Sequence, residues 1–88
     1  MFSATVTVKN RTGLHARPAS QLVMLSQKFE SQITIISPDV DEEIDPKSII
    51  SLLSGGVKMG TTIEVKAEGS DEESAVTEIV ALIESFTE

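Results

Sequence analysis

In Phe2-Ser3-Ala4-Thr5-Val6-Thr7-Val8 apolar residues hold the even positions and hydroxylated residues the odd interior ones. That is the period-two alternation of a strand with one wet face. Gln32-Ile33-Thr34-Ile35-Ile36 and Thr62-Ile63-Glu64-Val65-Lys66-Ala67 repeat the one-sided pattern, which suits an antiparallel sheet covered on a single side. Two segments switch to helical spacing: Ala16 to about Phe29, with Ala19, Leu22, Val23 and Ser26 on one stripe, and Asp71 to Phe86, with Val76, Ile79, Val80 and Ile83. These stripes are the cover that the apolar sheet face requires. Ser70 followed by Glu73 has capping-box spacing and predicts the start of the last helix. Glu84 and Glu88, acids beside the negative pole of that helix, predict a frayed last turn.

Between the second and last of these strands the pattern weakens. Ser37 to Asp45 reads as a solvated acidic loop with a short edge strand around Val40 to Ile44. Asp45 as cap and Pro46 in the first position then predict a short helix, which Gly55-Gly56 ends after about two turns. The expected order is β-α-β-β-α-β-α, one domain over residues 1–88 with no linker, repeat or low-complexity tract.

Composition narrows what such a domain does. With 88 residues the chain buries only roughly two thirds of its unfolded surface, enough for one modest core. No apolar stretch approaches the roughly 20 residues of a membrane span, and the start, Met1-Phe2-Ser3-Ala4, lacks a basic region followed by an apolar one. There is no cysteine, hence no disulfide, thiolate nucleophile or zinc-cysteine site. These features predict a cytoplasmic protein. A net charge of −7 with only seven Lys and Arg argues against nucleic acid as the ligand. The acidic run lacks the alternating ligands and central glycine of a calcium loop, and one histidine without cysteine makes a poor transition-metal set. No metal and no cofactor are expected.

The chemistry concentrates at Thr12-Gly13-Leu14-His15-Ala16-Arg17-Pro18-Ala19-Ser20, which contains the only histidine. Thr12 to Leu14 forms the turn leaving the first strand, and His15 falls at the cap of the first helix. Pro18 is tolerated there because first-turn amides have no intrahelical partner. An anion attached to His15 would meet the N–H of Ala16, the positive end of the helix dipole and the Arg17 guanidinium. This is a phosphate cradle around a nitrogen nucleophile. No GxxxxGK[ST] or GxGxxG loop is present to hold a nucleotide, so another protein must supply the phosphoryl group.

Gly13-Leu14-His15-Ala16-Arg17-Pro18-Ala19 resembles the active-site signature of the HPr family, the histidine-containing phosphocarriers of the bacterial phosphoenolpyruvate-dependent sugar phosphotransferase system. Lys47-Ser48-Ile49-Ile50 resembles the same family's regulatory-serine motif, and the similarity runs over the whole chain apart from residues 37 to 46. The resemblance implies an α+β open-faced sandwich, a four-stranded antiparallel sheet covered on one face by three helices. It implies that Nδ1 of His15 takes a phosphoryl group from enzyme I and passes it to IIA units of sugar transporters, with Arg17 stabilising the transferring oxygens and the Ala16 N–H beside them. It makes the protein a relay substrate and not a catalyst.

Ser48 would be the target of a regulatory kinase/phosphorylase, with a catabolite-control transcription factor as a further partner. Ser20, Val23, Lys47, Ile49, Ile50 and Leu53 match the family's docking patch. A monomer without direct membrane insertion is expected. Two departures bear on partner choice: the hairpin before Lys47 is longer and more acidic than usual in the family, and Met24 and Gln27 stand where some relatives present lysines. The alternative within the family is its nitrogen-related branch, which shares the histidine motif. Outside it stand a regulatory protein-binding module of the same fold, which would not need His15, and a small-ligand domain, which would need a convergent polar pocket that the sequence does not reveal.

Overall fold

The computed structural model describes residues 1–87. Strand β1 (Phe2–Thr7), helix α1 (Ala16–Ser26), strand β2 (Gln32–Ile36), helix α2 (Ile49–Gly55), strand β3 (Thr62–Glu68) and helix α3 (Glu72–Ser85) follow in that order. The strands form an antiparallel sheet of order β1-β3-β2. Within β1 and β3 the alternation read from sequence sets the two faces. Val6, Ile63, Val65 and Ala67 are buried, as are Ile33 and Ile35 of β2, while Thr7 and Thr62 share a hydroxyl hydrogen bond of 2.7 Å on the wet face.

The helices cover the apolar face. α3 lies against β1 and β3, and α1 packs on α3 and α2. Ala19 and Leu22 of α1, Leu52 of α2, and Ala75, Val76, Ile79 and Ile83 of α3 complete one core cluster with the sheet. Stripes at helical spacing therefore do in the fold what they predict in the sequence.

Four local expectations need correction. The edge strand around Val40 to Ile44 shrinks to one bridge, in which Ile35 and Ile44 exchange backbone hydrogen bonds of 2.8 and 2.9 Å. Ile44 is buried against Gly55, where a Cβ would stand 2.4 Å from its Cδ1, so packing pins the hairpin at one residue and leaves its acidic tip, Asp41 to Glu43, in solvent. Second, α2 begins three residues later than Pro46 suggests, because Ser48 is its cap and accepts from the Ser51 N–H at 3.2 Å. Asp45 instead turns its carboxylate to the Lys47 N–H at 2.9 Å.

Third, α1 ends at Ser26 and not near Phe29; its closing turn, with Lys28 N–H donating to Leu25 O and Phe29 N–H to Ser26 O, tightens to three-residue bonds. Fourth, Ser70 does not cap α3. Asp71 occupies the cap position without capping, and Glu72 reaches back to the Gly69 N–H at 3.1 Å, half of the expected reciprocal pair displaced by one residue. Phe86 already turns extended after the last turn of α3; Glu88, part of the expected frayed end, lies outside the described residues.

Asp71 is spent elsewhere. Its carboxylate accepts from the Ser31 hydroxyl, and from the Glu30 and Ser31 N–H groups at 2.9 Å each, tying the loop after α1 to the turn before α3. The Ser31 hydroxyl, and then the Glu30 amide, hold this carboxyl below its ordinary pKa. A lowered folded-state value contributes stability that is present above the unfolded-state pKa and lost as pH falls through the folded one. In thermal melts Asp71→Asn is expected to unfold at a lower temperature than the parent at neutral pH, with the gap closing on acidification below the carboxylate range. A gap that stays constant with pH would contradict the role given to the charge.

Candidate functional site

The chain leaves β1 through Val8, whose N–H donates to Thr61 O at 2.9 Å and whose carbonyl accepts from Gly60 at 2.7 Å. The loop is then sewn to the segment that follows α2. Leu14 N–H donates to Val57 O at 3.0 Å, and both residues are fully buried. Gly13 has φ +64°, and a Cβ there would stand 2.4 Å from Val57 O and 2.7 Å from Lys58 Cα. Only glycine fits this crossing. Inside the loop, Gly13 N–H donates to Asn10 O at 3.2 Å, and the Asn10 carboxamide donates to Gly13 O at 2.9 Å and to the Thr12 hydroxyl at 3.2 Å. Sequence reasoning does not single out Asn10 or Val57. An asparagine three residues before a glycine is a readable turn signal for the first; nothing local marks the second.

His15 follows as the cap residue of α1, extended at φ −132° and ψ 171°, with no capping bond from its side chain. The imidazole is half-buried, so the ring is held at the surface with its nitrogens not committed to the helix. Ala16 comes next at φ +54°, the one non-glycine residue with positive φ among those described. A left-handed alanine costs about 1–2 kcal/mol, and this one sits between His15 and the exposed Arg17. Pro18 is buried and fixes the first turn, where Ala19 N–H reaches His15 O at 3.4 Å. First-turn amides without intrahelical acceptors, a positive dipole end and a guanidinium at the adjacent residue make this a place where negative charge on His15 is stabilised.

The remaining residues singled out in the sequence divide between a surface and its supports. Ser20 is exposed and Val23 half-buried on α1. On α2, Leu52 turns fully inward while Ile50 is 76% exposed and Ile49 and Leu53 are also exposed; Met24 of α1, at 66%, adds to this apolar surface. Together these residues form an exposed apolar surface on two packed helices. Lys47 is a support. Its ammonium donates to Phe29 O at 2.8 Å and Ser31 O at 2.9 Å, and its own carbonyl accepts from Gln27 Nε2 at 3.1 Å, so it ties the start of α2 to the end of α1.

Ser48, half-buried at the cap of α2, lines a groove of about 630 Å³ with Ile44, Ile50 and the acidic Asp41, Glu42 and Glu43. His15 is not part of that groove. Among the described residues no group of three or more His, Asp or Glu is placed to hold a metal ion, and no helix is long and apolar enough to cross a membrane.

Comparison with known proteins points to one family. Residues 2–85 match the family model described as "PTS HPr component phosphorylation site". The chain is 46% identical over 84 residues to the phosphocarrier protein HPr of Mycoplasma pneumoniae, covering 96% of this chain and 94% of that protein. It is 40% identical over 81 residues to the phosphocarrier protein NPr of Proteus mirabilis, covering 91% and 88%. A crystal structure of HPr from Thermoanaerobacter tengcongensis superposes with a TM-score of 0.91 at 44% identity, covering 97% of this chain and 93% of that one.

Because any side chain at residue 13 meets backbone, Gly13→Ala is expected to lose roughly 1–3 kcal/mol of stability in denaturant unfolding and to shift the amide signals of Leu14 and Val57. A variant with the parent's stability and spectrum would show that the crossing is looser than described.

Proposed function

As the chain belongs to the HPr phosphocarrier family, we propose that its His15 accepts a phosphoryl group from phosphorylated enzyme I and delivers it to IIA components of sugar transporters. Members of this family are phosphotransfer intermediates of the phosphotransferase system and not catalysts. The observation that carries the reading is the only imidazole of the chain standing half-buried at the start of α1, uncommitted to capping. Transfer proceeds by displacement: the lone pair of His15 Nδ1 forms a bond to phosphorus as the bond to the donor breaks, while Nε2 keeps its proton. Such a loose transition state asks for position and charge stabilisation more than for covalent chemistry. The Ala16 N–H and the Arg17 guanidinium supply the charge. The P–N bond formed is itself labile enough to be passed on.

Partners dock over Ser20, Val23, Lys47, Ile49, Ile50 and Leu53, and Lys47 also anchors α2. A cytoplasmic monomer fits this work. The similarity to NPr at 40% identity supports a second reading, a carrier of the nitrogen-related branch; the Lys47-Ser48-Ile49-Ile50 motif favours the sugar system.

Incubation with enzyme I and phosphoenolpyruvate is expected to add one phosphoryl group by intact mass, with His15→Ala accepting none. Arg17→Ala is expected to melt near the parent temperature and to transfer at least about tenfold more slowly, the scale of one lost charge-assisted contact. A normal transfer rate with a large drop in melting temperature would make Arg17 structural.

Ser48 is proposed as the target of a regulatory kinase/phosphorylase, through which a catabolite-control transcription factor is engaged. A phosphate there would lie at the first turn of α2, where the dipole favours it. It would also face Asp41, Glu42 and Glu43 across the groove beside Ile50. The fold tolerates the charge and docking suffers. Aspartate is as good a cap as serine, so Ser48→Asp is expected to keep the parent's melting temperature while raising its KM as a substrate of enzyme I. Unchanged kinetics would put Ser48 outside the docking surface.

A further inference from the structure

Asn10 is only 4% exposed, and one half of its carboxamide is fully employed. Nδ2 donates to Gly13 O at 2.9 Å and to the Thr12 hydroxyl at 3.2 Å, while Oδ1 is buried without a partner. The orientation is fixed by chemistry, since a carbonyl accepts only and the opposite amide rotamer would set two oxygens against each other. A buried unmet acceptor is unfavourable, so the gain must come from the donor. The gain is local. Gly13 O and Leu14 N–H belong to one planar peptide unit, and the two are held from separate sides, the oxygen by Asn10 and the N–H by Val57 O at 3.0 Å. Only Leu14, itself fully buried, separates that peptide from His15.

The geometry points to Asn10 as a positioning residue for phosphoryl transfer: it fixes the rotation of the Gly13–Leu14 peptide and thereby the direction in which the His15 imidazole meets the donor. This rests on the reading of His15 as the acceptor. A residue of this kind acts on the reacting geometry and leaves the docking helices α1 and α2 intact. Displacement of about 1 Å in an aligned transfer costs on the order of a hundredfold in rate. The loss therefore belongs in kcat and not in KM.

The test compares Asn10→Ala, the same-sized Asn10→Asp and, as a stability control remote from the loop, Ile79→Val in the core face of α3. Transfer from phosphorylated enzyme I is measured below all melting temperatures. Asn10→Ala and Asn10→Asp are expected to lose at least about tenfold in kcat with KM close to the parent's, and Ile79→Val to keep both. A parent-like kcat in either folded Asn10 variant, or an equal loss in Ile79→Val, would overturn the proposal.

A second readout needs no transfer. In nuclear magnetic resonance spectra the Gly13 and Leu14 amides and the His15 imidazole are expected to shift or split in whichever Asn10 variant folds, and unmoved signals would refute the clamp. If His15→Ala still accepts phosphate, the acceptor reading fails; the spectra still decide whether Asn10 holds the loop.

Discussion

The backbone of Gly13 passes so close to Val57 that no side chain can stand between them, and the Leu14 N–H closes the contact on the Val57 carbonyl at 3.0 Å. This crossing joins the loop leaving β1 to the loop entering β3, two segments whose strands already pair in register from Phe2 opposite Ala67 to Thr7 opposite Thr62. The loop is held at both ends: by the sheet through Val8 and by Leu14 in the core. His15 is the next residue, so a half-buried histidine inherits the rigidity of a fully buried neighbour. Its position is set by packing on one side, and on the other stands Ala16 with its left-handed backbone.

Away from that crossing, polar ties do what a full fourth strand would otherwise do. The Ile35–Ile44 bridge holds the acidic hairpin at one residue. Lys47 binds the carbonyls of Phe29 and Ser31 along the same side of the molecule, and Ser31 turns its N–H and hydroxyl to Asp71. The starts of α2 and α3 are thus linked through Ser31 to the loop that ends α1. The arrangement frees Ile49, Ile50 and Leu53 from core duty while Leu52 anchors the helix beneath them. A carrier that meets several partners needs such a face, apolar and firm but not consumed by its own fold.

How much of this is legible in the sequence depends on the range of each interaction. Period-two alternation in β1, β2 and β3 and helical spacing in α1 and α3 are local signals, and they locate five of the six elements of the fold within a few residues. His15 at the helix start is local as well, since the turn, the histidine and the proline are adjacent. The caps are misread because each candidate side chain finds another partner: Ser70 donates its hydroxyl to Glu30, forty residues away in sequence, and Asp45 accepts from the Lys47 amide two residues on. The edge strand fails because Val40 to Ile44 has one deeply packed residue and not an alternating set. Nothing near Lys47 in the sequence announces that its ammonium binds the carbonyls of Phe29 and Ser31, and Val57 carries no mark at all, being an ordinary valine that offers only its backbone.

The central claim is that His15 rides on a fixed seam and presents first-turn donors to the group it receives. Amide hydrogen exchange measures both halves directly, with and without a phosphoryl group on the protein. The Leu14 amide is predicted to exchange as slowly as the core amides of β3 in both states, and the Ala16 amide to exchange fast in the free protein and become protected on phosphorylation. A Leu14 amide that exchanges at the rate of an open loop, or an Ala16 amide unaffected by the phosphoryl group, would contradict the account.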